Sequence, residues 1–430
     1  MSLRVAILST GEELTTGQIA DTNAQWLADR CFVLGIDVAC VLVVGDDPAR
    51  ITWAWERAFE VADLVLSTGG LGPTTDDLTT ETVAALLGEE LRFDEAAAER
   101  IRRFFASMNR VMPENNLRQA MFPQSAVVLE NPIGTAPGYR VSCARTIDGR
   151  EVDRHLVVMP GVPREMKPMF DDEVLPWLSG LPGVGAAPEV RVFQTFGMSE
   201  SALGERVGRL PGIDRVRVSY RASFPKIALK LILPGDRPGA GETVDELAAR
   251  VREALGTVIY AEDEATMEEE VGRVLLERGA TMAVAESCTG GLIGHRLTDV
   301  PGSSSYLLAD FVTYSNRAKH EVLGVPLEIL EGHGAVSEET VREMAAGARR
   351  RTGADVAVAT SGVAGPGGGT EERPVGTVCF GLDADGLSVS FRHQLWGNRS
   401  WIKLLTSQIA LDWVRRWALG LPILDSGFRN

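Results

Sequence analysis

Asp63-Leu-Val-Leu-Ser-Thr-Gly-Gly-Leu-Gly-Pro-Thr-Thr-Asp-Asp77 joins an apolar run of strand length to a glycine-rich turn, and a helical stretch at residues 79–87 follows directly. Strand, glycine turn and helix in succession form the unit of a βαβ fold, with parallel strands and helices on both sheet faces. The neighbouring sequence repeats the unit. Residues 5–8, 38–44, 126–129 and 155–159 are further strand-like runs, and residues 22–34 and 49–62 are amphipathic stretches of helix length. Residues 1–172 are therefore expected to form a doubly wound α/β domain. Ligands of such sheets bind beyond the carboxyl ends of the strands, which makes the turn at Thr68 the first place to look for chemistry. Glycines there let backbone amides approach a phosphate, and the next helix adds its dipole. Asp76 and Asp77 do not suit a bare phosphate. They suit one bridged by a hard divalent cation, or else they cap the helix.

Two more blocks follow. Beyond the Pro/Gly-rich stretch 181–188, residues 173–262 hold strand-like runs at 190–194, 215–220 and 227–233, helical stretches at 200–210 and 241–255, and a turn-rich segment at 233–241. This pattern predicts a small α+β module. An acidic link at 261–265 leads into a helix at 267–278 and a third block, 266–425, that alternates again. Its strand-like runs are 281–285, 311–314, 356–359, 375–381 and 387–394, and residues 399–417 close it with helical periodicity. Ser337 is placed to cap a helix whose first turn carries Glu338 and Glu339.

A chain of 430 residues exceeds what one core supports, in keeping with several domains. No apolar run approaches the length of a membrane helix or signal peptide, so a cytoplasmic protein without membrane contact is expected. The five cysteines lack metal-type spacing. A net charge of −16 argues against a general polyanion binder. Between Arg191 and Lys230 eight basic residues meet three acidic ones, a balance that a solvated sheet face explains.

The third block offers a second chemical site. Ala283-Val-Ala-Glu-Ser-Cys-Thr-Gly-Gly291 sets three potential nucleophiles between an apolar strand and a glycine-opened helix, where backbone amides could hold an oxyanion. Cys288 is intrinsically the most reactive of the three, yet the five histidines show no pairing signature with it. Tyr314-Ser-Asn-Arg-Ala-Lys319 follows the next strand-like run. A lysine desolvated there could act as a general base, with Tyr314 relaying or orienting the proton; a surface lysine at a helix start fits the same residues.

Together with Gly17-Gln-Ile-Ala-Asp-Thr-Asn-Ala24, Asn131-Pro-Ile-Gly-Thr-Ala-Pro-Gly138 and Pro160-Gly-Val-Pro-Arg-Glu-Met166, the turn Thr68–Asp77 resembles the N-terminal domain of the CinA family, named for competence- and damage-inducible expression. The resemblance implies a molybdopterin-binding-like fold and metal-dependent ADP-ribose pyrophosphatase activity. Asp76 and Asp77 would hold a divalent metal of the Mg, Mn or Co type with the diphosphate. Gly70 and Gly72 would cradle phosphate, and Glu13 and Glu165 would add polar contacts to the substrate. Gly11-Glu-Glu-Leu-Thr15 departs from the family's Gly-x-Glu-Leu-Leu entry.

Ala285-Glu-Ser-Cys-Thr-Gly-Gly291, Val300-Pro-Gly-Ser-Ser304, Tyr314–Lys319, Gly362-Val-Ala-Gly-Pro-Gly-Gly-Gly369 and Arg373-Pro-Val-Gly-Thr-Val378 resemble the family's C-terminal domain, the nicotinamide mononucleotide deamidases. By that resemblance Ser287 attacks the carboxamide, Lys319 takes its proton, and Tyr314 and Ser304 support the pair, with no cofactor. Thr289, Gly290, Thr360, Ser361 and Arg399 would bind the substrate, Arg399 gripping phosphate. Arg373 stands where the family often has Lys. The middle module resembles the family's KH-like insertion, but no Gly-x-x-Gly clamp stands between its adjacent helices. Direct nucleic-acid binding is therefore not expected there, and a structural or dimerising role in a homodimer is. The implied function is bifunctional pyridine-nucleotide salvage, on nicotinamide mononucleotide and ADP-ribose. The alternative is a competence or DNA-repair scaffold with a protein partner and catalytically minor nucleotide pockets.

Overall fold

The computed structural model describes residues 3–147, 149–233, 235 and 243–423. Strands β1 (Arg4–Thr10), β2 (Asp37–Val44), β3 (Leu64–Thr68), β4 (Leu91–Phe93), β5 (Met121–Pro123), β6 (Val127–Leu129), β7 (Gly138–Ile147) and β8 (Arg150–Met159) belong to the first of two compact units. Its six-stranded sheet has the order β2-β1-β3-β8-β7-β6, with β2-β1-β3-β8 parallel and the last two pairings antiparallel. Alternate residues of β1 feed opposite faces, as strand pleating requires. Ala6 and Leu8 pack with Trp55 and Phe59 of α2 (Pro48–Val61), while Val5 and Ile7 pack with Leu27 and Cys31 of α1 (Thr22–Val33). Asp21 and Asp47 cap these helices through side-chain bonds to the amides of Ala24 and Arg50. The turn after β3 enters α3 (Thr79–Leu87).

The boundary expected at residue 172 is corrected to Glu189, where the first unit's continuous run ends. Phe170, Val174 and Leu178 are buried in the first unit's core, so a cut at 172 would divide a packed helical segment.

The second unit opens with the antiparallel pairs β10–β11 and β9–β12, in the order β10-β11-β9-β12: β9 (Glu189–Thr195), β10 (Arg217–Ser223), β11 (Lys226–Leu233) and β12 (Ile259–Glu262). Leu203 and Val207, with Leu247 and Val251, cover one face over Phe193, Leu229 and Leu231. Phe196, Tyr260 and Ala261 instead join a core with Met267, Val271 and Trp413, so the α+β module and the third block are packed as one body. The turn-rich segment at 233–241 falls mostly outside the described residues, as do the helix start expected at Gly241 and the block end at 425.

The third block's sheet has the order β14-β13-β15-β16-β17, from β13 (Met282–Glu286), β14 (Leu307–Val312), β15 (Val356–Gly362), β16 (Thr377–Ala384) and β17 (Leu387–Gln394). The first three strands are parallel, and β15-β16-β17 run antiparallel. The strand expected at 311–314 ends at Val312, which leaves Tyr314 in the loop. Ser337 caps its helix through Thr340 N at 3.2 Å. No described helix is long and apolar enough to cross a membrane.

Candidate active sites

Every residue of β13 is buried, and the chain leaves it as Ser287-Cys288-Thr289 followed by two left-handed glycines, Gly290 (φ 62°) and Gly291 (φ 89°). Only glycine takes two such positions in a row without strain. Gly290 N donates to Ser287 O at 3.2 Å, and Ser287 N donates to Thr360 O at 3.0 Å. One strand over, the chain passes from β14 through Thr313 into the helix Asn316–Leu323, capped by Ser315. That start turns Lys319 inward. Its Nζ donates to Ser287 Oγ at 3.1 Å and to Thr313 O at 2.9 Å. Lys319 is 1% exposed, and burial pushes its ammonium down to about 8. Such a lysine loses its proton near neutral pH and can accept one from a serine hydroxyl.

Within the nucleophile triplet, only Ser287 meets Lys319 through its side chain. Burial pushes the Cys288 thiol up to about 12, which keeps it protonated. The Thr289 hydroxyl is spent on Thr360 Oγ1 at 2.9 Å. The Thr289 amide donates to no carbonyl or side-chain oxygen among the described residues, and the Cys288 amide lies against its own thiol, so both stand beside Ser287 outside the backbone ladder.

A cavity of about 200 Å³ opens over this dyad, lined by Ser287, Tyr314, Lys319, Ser361 and Arg399 among others. Several expectations are corrected. Thr289 and Thr360 are wholly buried and brace two loops against each other, so their hydroxyls do not face a substrate. Tyr314 lines the cavity but is exposed, and its hydroxyl lies 3.4 Å from Arg399 Nη2; it makes no hydrogen bond to Lys319. Ser304 is not at the site. It precedes β14, whose Leu307 pairs with Met282 at the start of β13, whereas Ser287 follows the end of β13. That places it a strand's length away, about 16 Å. Ser361 spends its hydroxyl on Ala335 O at 2.7 Å. Arg373 donates to His333 O, which ties down the loop carrying Ala335.

Arg399 opens the long helix Arg399–Ala418 and donates to Gly365 O at 2.7 Å. One turn on, Lys403 was not foreseen. Its Nζ lies 3.8 Å from where a Cβ on Gly290 would stand, and it has no hydrogen-bond or ion-pair partner among the described residues. Spacing i to i+4 puts both cations on one helix face, a place for a phosphate. Arg399→Ala and Lys403→Ala are each expected to raise KM for a mononucleotide about 10–100-fold, the worth of a hydrogen bond to a charged group. Equal KM values for nucleotide and nucleoside in the wild-type protein would count against this.

In the first unit, Glu13, Gly70, Gly72, Asp76, Asp77 and Glu165 line one cavity of about 340 Å³. A Cβ on Gly72 would stand 2.3 Å from Asp77 Oδ2, so any larger residue there would displace the Asp77 carboxylate. Thr74 donates to Asp77 through its amide, at 2.9 Å, and through its hydroxyl. Asn131 Nδ2 donates to Glu165 at 2.6 Å. Asp46, at the end of β2, joins the same lining and went unnoticed in the sequence. Its carboxyl is raised above the ordinary range by burial and by the charges of Glu13, Asp76 and Asp77, against the pull of the Glu12 amide. Five carboxylates thus line the cavity with no Lys or Arg. Among the described residues no three of them converge as a ready-made metal cage. Asp76 and Asp77 supply hard oxygen donors of the kind that an Mg-type ion takes one or two at a time.

Comparison with known proteins agrees across the chain. Residues 6–180 match the family described as a probable molybdopterin binding domain, 190–261 the damage-inducible protein CinA KH domain, and 264–418 the CinA C-terminal domain. A putative competence-damage inducible protein of Symbiobacterium thermophilum is 42% identical over 426 residues, covering 96% of this chain and 98% of the relative. The nicotinamide-nucleotide amidohydrolase PncC of Shewanella oneidensis is 39% identical over 423 residues, covering 98% and 97%. The crystal structure of CinA from Thermoplasma acidophilum is 34% identical and covers 41% of this chain and 98% of that one, with a TM-score of 0.35. An α/β chain with a molybdopterin-binding-type first domain, a small antiparallel KH-like module and a mixed α/β last domain, it belongs to the CinA family.

Proposed function

We propose that this chain hydrolyses the carboxamide of nicotinamide mononucleotide at Ser287, and a diphosphate such as that of ADP-ribose in the cavity around Gly70 and Asp77. The observation that carries the first reading is the 3.1 Å contact between Lys319 Nζ and Ser287 Oγ, made by a buried lysine. The name of the Shewanella oneidensis relative supports the substrate. Ser287 Oγ bonds to the carboxamide carbon while its proton passes to neutral Lys319. The oxyanion would be held by the amides of Cys288 and Thr289, donors of a kind worth about 2.7–4 kcal/mol each. Lys319 then gives its proton to the departing nitrogen, which leaves as ammonia. Water, deprotonated by the same lysine, opens the acyl-enzyme to nicotinate mononucleotide, and Ser287 regains its proton.

Lys319 must be neutral at the first step. With its pKa lowered to about 8, kcat is expected to climb about tenfold per unit from pH 6 towards 8. Ammonia release measured across that range tests both reaction and base: no ammonia rejects the amidase reading, and a flat profile rejects Lys319.

At the other site a divalent ion, when bound, would neutralise the diphosphate and polarise it. Asp76 and Asp77 would hold it, in a cavity that Glu13, Asp46 and Glu165 also line. Gly70 and Gly72 would keep backbone close to phosphate, and Glu165, held by Asn131, would orient a water.

A further inference from the structure

Behind the Ser287 turn lie two carboxyl groups that the mechanism above does not use. Glu286 ends β13 and is wholly buried. Asp310 comes from β14. Val284 pairs with Asp310 and Glu286 with Val312, so both acids sit on the same sheet face, two residues apart in register. Glu286 Oε2 accepts from Gly291 N at 2.9 Å, and Oε1 accepts from Ile293 N at 2.8 Å and Gly294 N at 2.9 Å. A carboxylate offers about four acceptor positions, so one is left over. Asp310 reaches the same place, its Oδ2 standing 2.2 Å from where a Cβ on Gly294 would be. No Lys, Arg or His pairs with either acid among the described residues. His295 and Arg296, on the adjoining helix, are turned to Asp299 and Glu268. Two adjacent carboxyls, Glu286 wholly buried and Asp310 half-buried with its Oδ1 shut away from solvent, do not readily ionise together without a cation, so one proton stays. Glu286, already holding three N–H groups, is the natural seat of the charge.

We propose that Glu286 and Asp310 form a positioning pair sharing one proton: Asp310 donates to the last acceptor position of Glu286, and Glu286 holds the helix-opening amides and with them the Ser287 turn. By taking Gly291, Ile293 and Gly294, the pair leaves the Cys288 and Thr289 amides for the oxyanion. The proposal rests on the amidase reading for its kinetic consequences. Burial first, then the charge of Glu286, raises Asp310 to about 8. The shared proton is therefore kept at neutral pH and lost in alkali, where two anions would repel and the turn would loosen. General-base action by Lys319 gives no alkaline decline, so a fall in kcat that Asp310→Asn removes belongs to the pair.

The test compares wild-type protein with Asp310→Asn and Glu286→Gln, using nicotinamide mononucleotide from pH 6 to 10. Asn keeps a donor that cannot ionise, so kcat at pH 7 should stay within about threefold and the alkaline decline should vanish. Gln loses acceptor capacity, so kcat should fall about 10²-fold with KM little changed. An Asp310→Asn protein that keeps the wild-type decline, or a Glu286→Gln protein with wild-type kcat, overturns the proposal. If Glu286→Gln does not fold, the Asp310→Asn profile decides. Melting temperatures supply a readout without turnover. Asp310 titrates near 4 in the unfolded chain and higher in the fold, so wild-type protein loses stability as pH rises from 4 towards 8. The melting advantage of Asp310→Asn should widen from pH 5 to 8, and a constant difference overturns the shared proton. Should wild-type protein release no ammonia, the amidase reading fails while the melting comparison still judges the pair.

Discussion

Ser287→Ala is expected to cut kcat for ammonia release from nicotinamide mononucleotide by about 10⁴-fold or more, while Cys288→Ala stays within about tenfold of wild type. The contrast follows from the surroundings of two adjacent side chains. Ser287 Oγ lies 3.1 Å from the ammonium nitrogen of Lys319. The Cys288 thiol is buried and pushed up to about 12, far from the thiolate that a cysteine nucleophile needs. Lys319→Met should fall with Ser287→Ala, because nucleophile and base act as one unit and their losses do not add. A dead Cys288→Ala protein beside an active Ser287→Ala protein would move the nucleophile by one residue.

Stripping divalent metal should abolish ADP-ribose cleavage, a loss on the order of 10³-fold for a site that relies on a cation for charge neutralisation. Ammonia release should be untouched. The cavity that gathers Glu13, Asp46, Asp76, Asp77 and Glu165 without a basic residue would repel a diphosphate outright. A bridging ion reverses that sign. Asp76→Asn and Asp77→Asn should each raise the metal concentration needed for half-maximal cleavage. Turnover that persists unchanged in excess chelator would show that neither aspartate works through a metal.

The βαβ alternation around residues 63–77 was readable because fully buried parallel strands must be apolar, and glycines must stand where backbone approaches backbone. Strand β7 was not read. Its sequence, Gly138-Tyr-Arg-Val-Ser-Cys-Ala-Arg-Thr-Ile147, is half exposed and carries arginines that look like loop. The dyad was legible as two motifs, but not as a contact, since the desolvation that makes Lys319 a base comes from packing. Asp46, Glu286, Asp310 and Lys403 escaped for a related reason: each gains its meaning from a partner far along the chain. Thr289 and Thr360 misled in the opposite direction. Hydroxyls beside a nucleophile resemble substrate ligands, yet here they fasten one loop to another. Ser304 erred by topology, since a residue that precedes a parallel strand sits at the end away from the chemistry.

One packing detail governs how this protein can be taken apart. Phe224, at the tip between β10 and β11, stacks on Trp401 with centroids 4.4 Å apart and meets Trp396 edge-on at 5.6 Å. Trp401 sits in the first turn of the helix opened by Arg399. Phe196, Tyr260 and Ala261 meanwhile share the core of the last sheet. The KH-like module is thus a keystone rather than a bead on a string. Severing the chain at residue 266 would bare that apolar seam and unseat the turn that carries Arg399. The compact unit that holds Ser287 and Lys319 accordingly begins at Val190, and takes in the KH-like module together with the block that starts near residue 266.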